Sequence, residues 1–177
     1  RALYRRGLER DPNRASWIWA VLLAEQSEGR TPHAWLDSYA RRVSDPARLA
    51  GIKGLRADRA GRADEAIPAL RQSLALDPQQ PLLRQLLFRS LLSQARVDEA
   101  RAETDWFARQ VEAGEAVLRS YLAEMLTRLG DTLQALEHWE LLHQANPDVP
   151  YYGIETANAL YRLNRPDEAM DVLRAMT

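Results

Sequence analysis

Residues Gly61 to Pro78 read GRADEAIPALRQSLALDP, a sequence in which turn residues flank one short apolar segment. Gly61 tolerates the left-handed backbone conformation that ends a helix. Asp64 and Glu65 suit the start of the next helix, where side-chain oxygens cap free amides and negative charge meets the helix dipole. Pro78 follows Asp77 and prevents this helix from continuing. The stretch therefore predicts a turn, one short helix and a second turn.

The same pattern recurs along the chain at a nearly constant spacing. The turn residues of the four copies are Gly61, Ala95, Gly130 and Asn164, and the small residues five positions after them are Ala66, Ala100, Ala135 and Ala169. Asp98 and Asp167 take the place of Asp64 in two of the copies. Successive turn residues are 34, 35 and 34 positions apart, and a weaker copy begins upstream at Gly29. A period of this length is the signature of a repeat architecture in which each repeat is one pair of helices.

Apolar residues recur every three or four positions within each copy, which predicts amphipathic helices. The predicted helix pairs are 15–27 and 32–43, 47–59 and 64–75, 81–94 and 98–113, 116–129 and 132–145, 150–163 and 166–176. A lone helix at 2–10 is expected to be the second half of a preceding repeat. The repeats are expected at about 1–12 (a half repeat), 15–46, 47–80, 81–115, 116–149 and 150–177, and residues 1–177 are expected to be one superhelical fragment of a longer protein.

This pattern resembles the tetratricopeptide repeat (TPR) family, in which each repeat has two small residues, a large apolar residue and a closing proline. The residues that match are Gly54, Ala66, Leu70 and Pro78 in one repeat, Ala123, Ala135, Trp139 and Pro147 in another, and Ala157, Ala169 and Leu173 in the last. Phe88 and Thr104 depart from the pattern, as do Glu25 and Ser38. The resemblance implies an all-α fold, a right-handed α-solenoid of about five TPR-like helix pairs plus a leading half repeat.

Composition excludes several classes of function. The chain has 177 residues and a formal net charge of −1, so no overall positive field marks it as a nucleic-acid binder. It contains no cysteine, which excludes disulfides and thiolate chemistry. It also lacks an apolar run long enough to span a bilayer, so no direct membrane insertion is predicted.

The resemblance also implies a binding surface, because the first helix of each pair lines the concave side in this family. The inward positions at which partner-binding residues are expected are Trp19, Arg59, Gln85, Arg89, Glu124, Arg128, Asn158, Tyr161 and Arg162. The four arginines recur about once per repeat, and a guanidinium presents a planar fork of donors that suits carboxylates. They predict a basic stripe that grips an acidic segment of a partner. The alternative is a solvated face in which Arg128 and Arg162 pair with Glu124 and Asn158.

No catalytic constellation is found in the sequence. His138 and His143 are five residues apart, which places them on different faces of a helix and not at the spacing of a zinc-binding helix. The chain has no glycine-rich phosphate loop and no nucleophile elbow. We therefore predict no catalytic residue, no metal ligand and no cofactor. Trp139 is expected in the core, and Tyr151 and Tyr152 are expected to be exposed.

The predicted function is a non-catalytic scaffold for protein–protein interaction that binds a protein or peptide. Arginine- and alanine-rich, cysteine-free TPR stretches resemble the periplasmic repeats of Gram-negative exopolysaccharide export proteins. That resemblance implies a place in a bacterial exopolysaccharide secretion apparatus, in biofilm formation and in the periplasm. The alternative is a regulatory TPR arm of a larger enzyme such as a glycosyltransferase. The sequence leaves the partner and the oligomeric state open.

Overall fold

The computed structural model describes residues 40–111 and 116–176, and this part of the chain contains eight α-helices and no strand. The helices are α1 (Pro46–Arg59), α2 (Ala63–Leu76), α3 (Pro81–Ser93), α4 (Val97–Val111), α5 (Ala116–Leu129), α6 (Thr132–Ala145), α7 (Pro150–Arg162) and α8 (Pro166–Ala175). Each begins and ends within two residues of its predicted bounds, which confirms the all-α repeat fold. The predicted helices 2–10 and 15–27, most of the predicted helix 32–43, and Trp19 lie outside the described residues.

The chain forms two compact units, of which the first ends at Gln94 and the second begins at Ala95. In the first unit, α2 packs against α1 and α3, and α1 also contacts α3. In the second unit, each helix from α4 to α8 packs against the next one in sequence. Neighbours in sequence are therefore neighbours in space within each unit, as a repeat of helix pairs requires.

All four turn residues identified in the sequence have a left-handed backbone. The φ angles are 71° at Gly61, 55° at Ala95, 83° at Gly130 and 60° at Asn164. After Gly61, the amide of Arg62 donates to the carbonyl of Ala57 over 2.9 Å, and equivalent bonds follow Gly130 and Asn164. These bonds satisfy carbonyl groups at the end of one helix and reverse the chain so that the next helix packs against it.

The small residues allow the helices of a pair to approach closely. Ala66, Ala100, Ala135 and Ala169 are all buried. At Gly54, a Cβ atom would lie 2.7 Å from Cγ of Leu70, closer than real Cβ contacts. The absence of a side chain at Gly54 therefore lets α1 lie directly against Leu70 of α2.

The N-terminal capping of α2 and of α8 differs from the prediction. We expected Asp64 and Asp167 to cap free amides, but the helices begin earlier, so both aspartates lie within the first turn. Arg62 and Arg165 occupy the cap positions and make no side-chain cap hydrogen bond. The capping prediction is therefore wrong for these helices. The acidic residues of both first turns still place negative charge at the positive end of the helix dipole, as predicted.

Each of the cap arginines makes a local ion pair instead. The guanidinium of Arg62 lies 2.8 Å from the carboxylate of Glu65, and that of Arg165 lies 2.6 Å from that of Glu168. A side-chain cap of the expected kind does occur at α1, where Asp45 accepts a hydrogen bond from the amide of Ala47 over 2.9 Å. The start of a helix is therefore marked by Arg–Glu pairs in α2 and α8 and by an aspartate in α1.

Candidate partner-binding surface

The predicted binding residues within the described chain all lie on the first helices of the pairs. Arg59 lies on α1, Gln85 and Arg89 on α3, Glu124 and Arg128 on α5, and Asn158, Tyr161 and Arg162 on α7. The first two helices belong to the first unit and the last two to the second unit. Arg59 and Gln85 are partly exposed.

Arg89 in the first unit is engaged by a carboxylate of the neighbouring first helix. Its guanidinium donates to Oδ2 of Asp58 on α1, and Oγ of Ser90 donates to Oδ1 over 3.1 Å. The Asp58 side chain is 7% exposed, whereas that of Arg89 is 52% exposed. Arg89 therefore neutralises a nearly buried carboxylate, and part of its charge is already balanced within the chain.

Arg128 in the second unit is also balanced locally. Its guanidinium lies 2.9 Å from the Glu124 carboxylate one turn earlier on α5, which confirms this part of the alternative reading of the basic stripe. The other part, a pairing of Arg162 with Asn158, is not found among the described residues. Arg162 is exposed and makes no ion pair within that part of the chain.

A row of exposed apolar side chains runs along α7. Tyr151, Ile154 and Tyr161 are exposed at helical spacing, and Tyr161 reaches 72%. The polar residues Asn158 and Arg162 lie between and beside them on the same face and are also exposed. Water thus contacts three large apolar side chains on one face of α7, with Asn158 between Ile154 and Tyr161, although such groups are usually buried.

Tyr151 is the residue of this strip whose hydroxyl group is influenced by charges on α5. Burial raises the pKa of Tyr151, and the nearby carboxylates of Glu124 and Glu155 raise it further, while Arg128 opposes them. The hydroxyl of Tyr151 on α7 therefore lies within electrostatic range of Glu124 and Arg128 on α5. We call the surface formed by these residues the α5–α7 surface; it comprises Glu124, Arg128, Tyr151, Ile154, Asn158, Tyr161 and Arg162.

The core below holds this surface in place. Trp139 of α6 is fully buried, which confirms the prediction, and its indole nitrogen donates to Oγ1 of Thr127 over 3.2 Å. The ring of Tyr151 packs edge-on against Trp139 with centroids 5.6 Å apart, and Tyr152 lies 6.3 Å from it. Tyr152 is only partly exposed, so the prediction of two exposed tyrosines holds for Tyr151 and is wrong for Tyr152.

Tyr151 and Ile154 were not among the residues predicted to bind a partner. Both occupy inward positions in the repeat register, and their large apolar side chains are the signal that could have identified them. The prediction instead gave weight to the recurring arginines, and the spacing of charges does not reveal which arginine already has a partner.

The two histidines on α6 face different helices, as their spacing predicted. His138 has its Nδ1 atom 3.3 Å from a guanidinium nitrogen of Arg119 on α5. Burial lowers the pKa of His138, and the charge of Arg119 lowers it further. His143 instead lies beside Gly153 of α7. Within residues 40–111 and 116–176, no three His, Cys, Asp or Glu side chains form a group suited to a metal ion.

None of the described helices has the length and apolar character needed to cross a membrane.

Comparison with known proteins identifies the fold. Residues 59–105, from the last residue of α1 into α4, match the tetratricopeptide repeat family model. PilF of Pseudomonas aeruginosa superimposes with a TM-score of 0.64 and 19% identity, covering 87% of this chain and 71% of that chain. A MamA RS-1 double mutant superimposes with a TM-score of 0.62 and 15% identity, covering 94% of this chain and 93% of that chain. MamA of MSR-1 superimposes with a TM-score of 0.58 and 17% identity, covering 78% of this chain and 82% of that chain. No curated protein sequence matches the chain. At these identities the similarity establishes a tetratricopeptide-type fold.

Proposed function

We propose that this chain is a non-catalytic interaction module that binds a partner protein or peptide on its α5–α7 surface. The observation that carries the proposal is the exposed strip of Tyr151, Ile154 and Tyr161 on one face of α7. Large exposed apolar side chains grouped on one face among polar residues indicate an interaction site on a folded protein. Tyrosine and arginine are also enriched among the residues that dominate binding energy.

The charges of this surface indicate the chemistry of the partner. Glu124 balances Arg128, whereas Arg162 has no carboxylate partner within the described chain. The partner segment therefore presents apolar side chains to Tyr151, Ile154 and Tyr161 and an acidic residue to Arg162. In the first unit, we propose that Arg59 and Gln85 contact the partner and that Arg89 contributes by neutralising Asp58. Trp19 remains a proposed contact on the earliest repeat.

A comparison of variants as baits tests this proposal. Ile154→Asp combined with Tyr161→Ala removes two of the three apolar side chains of the strip without changing the core, because both side chains are exposed. We expect proteins captured from the source organism by the unaltered chain to be lost, with affinity falling at least about tenfold. The matched control is Leu133→Asp combined with Leu141→Ala, two exposed leucines on α6, which we expect to retain them. Capture that survives the first variant would contradict the proposed surface.

We further propose that the partner belongs to a bacterial exopolysaccharide secretion apparatus in the periplasm. This proposal rests on the cysteine-free, arginine- and alanine-rich composition of the chain. It also rests on the resemblance of such repeats to the periplasmic repeats of exopolysaccharide export proteins. Fractionation of the source cells tests it: we expect the chain in the periplasmic fraction, together with polysaccharide-modifying enzymes. Recovery from the cytoplasm would overturn this location. A catalytic domain on the same polypeptide would instead favour a regulatory arm of an enzyme.

A further inference from the structure

The exposed face of α7 carries opposite charges two helical turns apart. Glu155 and Arg162 are seven residues apart, so they lie on the same side of the helix, roughly 10 Å from each other along its axis. Glu155 is partly exposed and Arg162 is exposed. Glu155 acts on the hydroxyl of Tyr151, and neither Glu155 nor Arg162 makes an ion pair within residues 40–111 and 116–176. Each charge is therefore presented at the edge of the apolar strip without a counter-charge from the described chain.

The same face is exposed on the first helix of the preceding repeat. Val117 and Arg128 of α5 stand 34 positions before Tyr151 and Arg162. Val117 is 58% exposed and the Arg128 side chain 50% exposed, although α6 and α7 follow α5 and α6 packs against both. The exposure of this face is therefore a property of first helices that have a further repeat after them.

We propose that the segment bound at the α5–α7 surface is an amphipathic α-helix with an acidic and a basic residue seven positions apart and apolar residues between them. This inference rests on the proposed function, because it names the partner of the same surface. The acidic residue faces Arg162, the basic residue faces Glu155, and the apolar residues pack on the strip. Two helices that lie side by side have the same rise per residue, so charges seven residues apart on one come into register with charges seven residues apart on the other.

The composition of the strip favours a helix over an extended segment. An extended segment leaves backbone amides and carbonyls directed at α7, and buried groups of this kind require hydrogen-bond partners. Tyr151, Ile154 and Tyr161 present mainly rings and hydrocarbon there, and Asn158 is the one amide side chain among them. A helix pairs its own backbone groups and binds such a face through apolar side chains at three- and four-residue spacing.

Glu155 also changes the expected charge of the partner. The recurring arginines predicted a purely acidic segment, but a second acidic residue placed opposite Glu155 would be repelled. A basic residue at that position is instead attracted. The surface therefore favours a segment with mixed charges over one with a single sign of charge.

Three synthetic helices provide the probe. Each has about 14 residues, is roughly 21 Å long, carries leucines on one face and is held helical by a lactam bridge on the other. They differ only at two positions seven apart: glutamate then arginine in the mixed peptide, two glutamates in the acidic peptide and two arginines in the basic peptide. Fluorescence anisotropy of labelled peptide against the whole chain should show the mixed peptide binding at least about fivefold more tightly than either of the others.

Charge reversals on α7 test the assignment of each charge. With Glu155→Arg we expect the acidic peptide to become the tightest ligand, and with Arg162→Glu the basic peptide, because each variant gives the surface a single sign of charge. The matched control is Glu137→Arg on the exposed side of α6, which should leave the order of affinities unchanged. Circular dichroism checks that each variant is folded.

Several outcomes would overturn the inference. One is equal binding of the three peptides, or tightest binding of the acidic one by the unaltered chain. Another is no binding of the mixed peptide up to about 1 mM, or full binding of a version whose central proline prevents a helix. The proposed function would survive these results as long as capture of cellular partners is still lost with Ile154→Asp and Tyr161→Ala. Capture that no longer depends on those two residues would remove the proposed function and this inference together.

Discussion

At the scale of single residues, turn geometry is the property most closely fixed by residue type. Four positions spaced by one repeat adopt left-handed φ angles, and three of them are glycine or asparagine. Ala95 is the exception, because its Cβ atom disfavours that conformation. The repeat pattern marked Ala95 as a turn residue despite its unfavourable type, since its spacing from Gly61 and Gly130 matched.

The strain at Ala95 predicts that Ala95→Gly stabilises the fold. Relief of the left-handed alanine is worth about 1–2 kcal/mol, and the greater freedom of glycine in the unfolded chain offsets part of it. We expect the free energy of unfolding in urea to rise by up to about 1 kcal/mol. The control is Ala60→Gly in a neighbouring turn, where φ is −82° and glycine should destabilise by about 0.5–1 kcal/mol. Equal losses in both variants would contradict the left-handed assignment.

The ion pairs on the first helices predict different costs for two arginine changes. Arg89→Ala leaves the nearly buried Asp58 carboxylate with Ser90 as its remaining side-chain partner, and we expect a loss of about 1–3 kcal/mol in stability. Arg128→Ala removes an exposed pair within α5 and should cost less than about 0.5 kcal/mol. Thermal and urea unfolding of both variants provide the measurement. If the order were reversed, Asp58 would not depend on Arg89.

At the scale of helices, the spacing of apolar and turn residues determined where each helix begins and ends. The bounds of α5 and α6 agree with their predicted bounds at both ends. Contacts between helices were less predictable, because they depend on side chains that meet across a pair. The contact between Arg119 of α5 and His138 of α6 is such a case, because the spacing of the two residues in the sequence does not predict it.

This contact predicts a pH dependence of stability. Folding lowers the pKa of His138 from its ordinary value of 6.5, through burial first and then through the charge of Arg119. The neutral imidazole is therefore favoured in the folded state. Stability is full above the unfolded pKa and is lost as the pH falls through it toward the folded value. Since His138 is partly exposed to solvent, we expect a loss of under about 1 kcal/mol between pH 7.5 and pH 5.

His138→Gln isolates this effect, because glutamine keeps a polar group beside Arg119 and does not titrate. We expect urea unfolding of this variant to show a smaller loss of stability between the same two pH values. An unchanged pH dependence would assign the effect to other groups.

At the scale of the whole chain, the repeat explains both what is buried and what is not. The residues one repeat apart on α2, α4 and α6, which are Leu70, Thr104 and Trp139, are all buried, whereas Leu173 at the same position of α8 is 38% exposed. Helix α7 has one face of each kind: the side with Tyr151, Ile154 and Tyr161 is exposed to solvent, and another side packs against α6.

The amino-acid sequence by itself determined the all-α repeat fold, the bounds of the helices and the positions of the turns. These depend on backbone preferences and on periodicities of a few residues, which are local. Contacts between helices determine that Arg89 neutralises Asp58, 31 residues away, that Tyr152 is partly buried, and that Tyr151 and Ile154 are exposed, with Tyr151 in electrostatic range of Glu124 and Arg128. These outcomes depend on which side chains of neighbouring helices meet, and a short-range pattern contains no information about that.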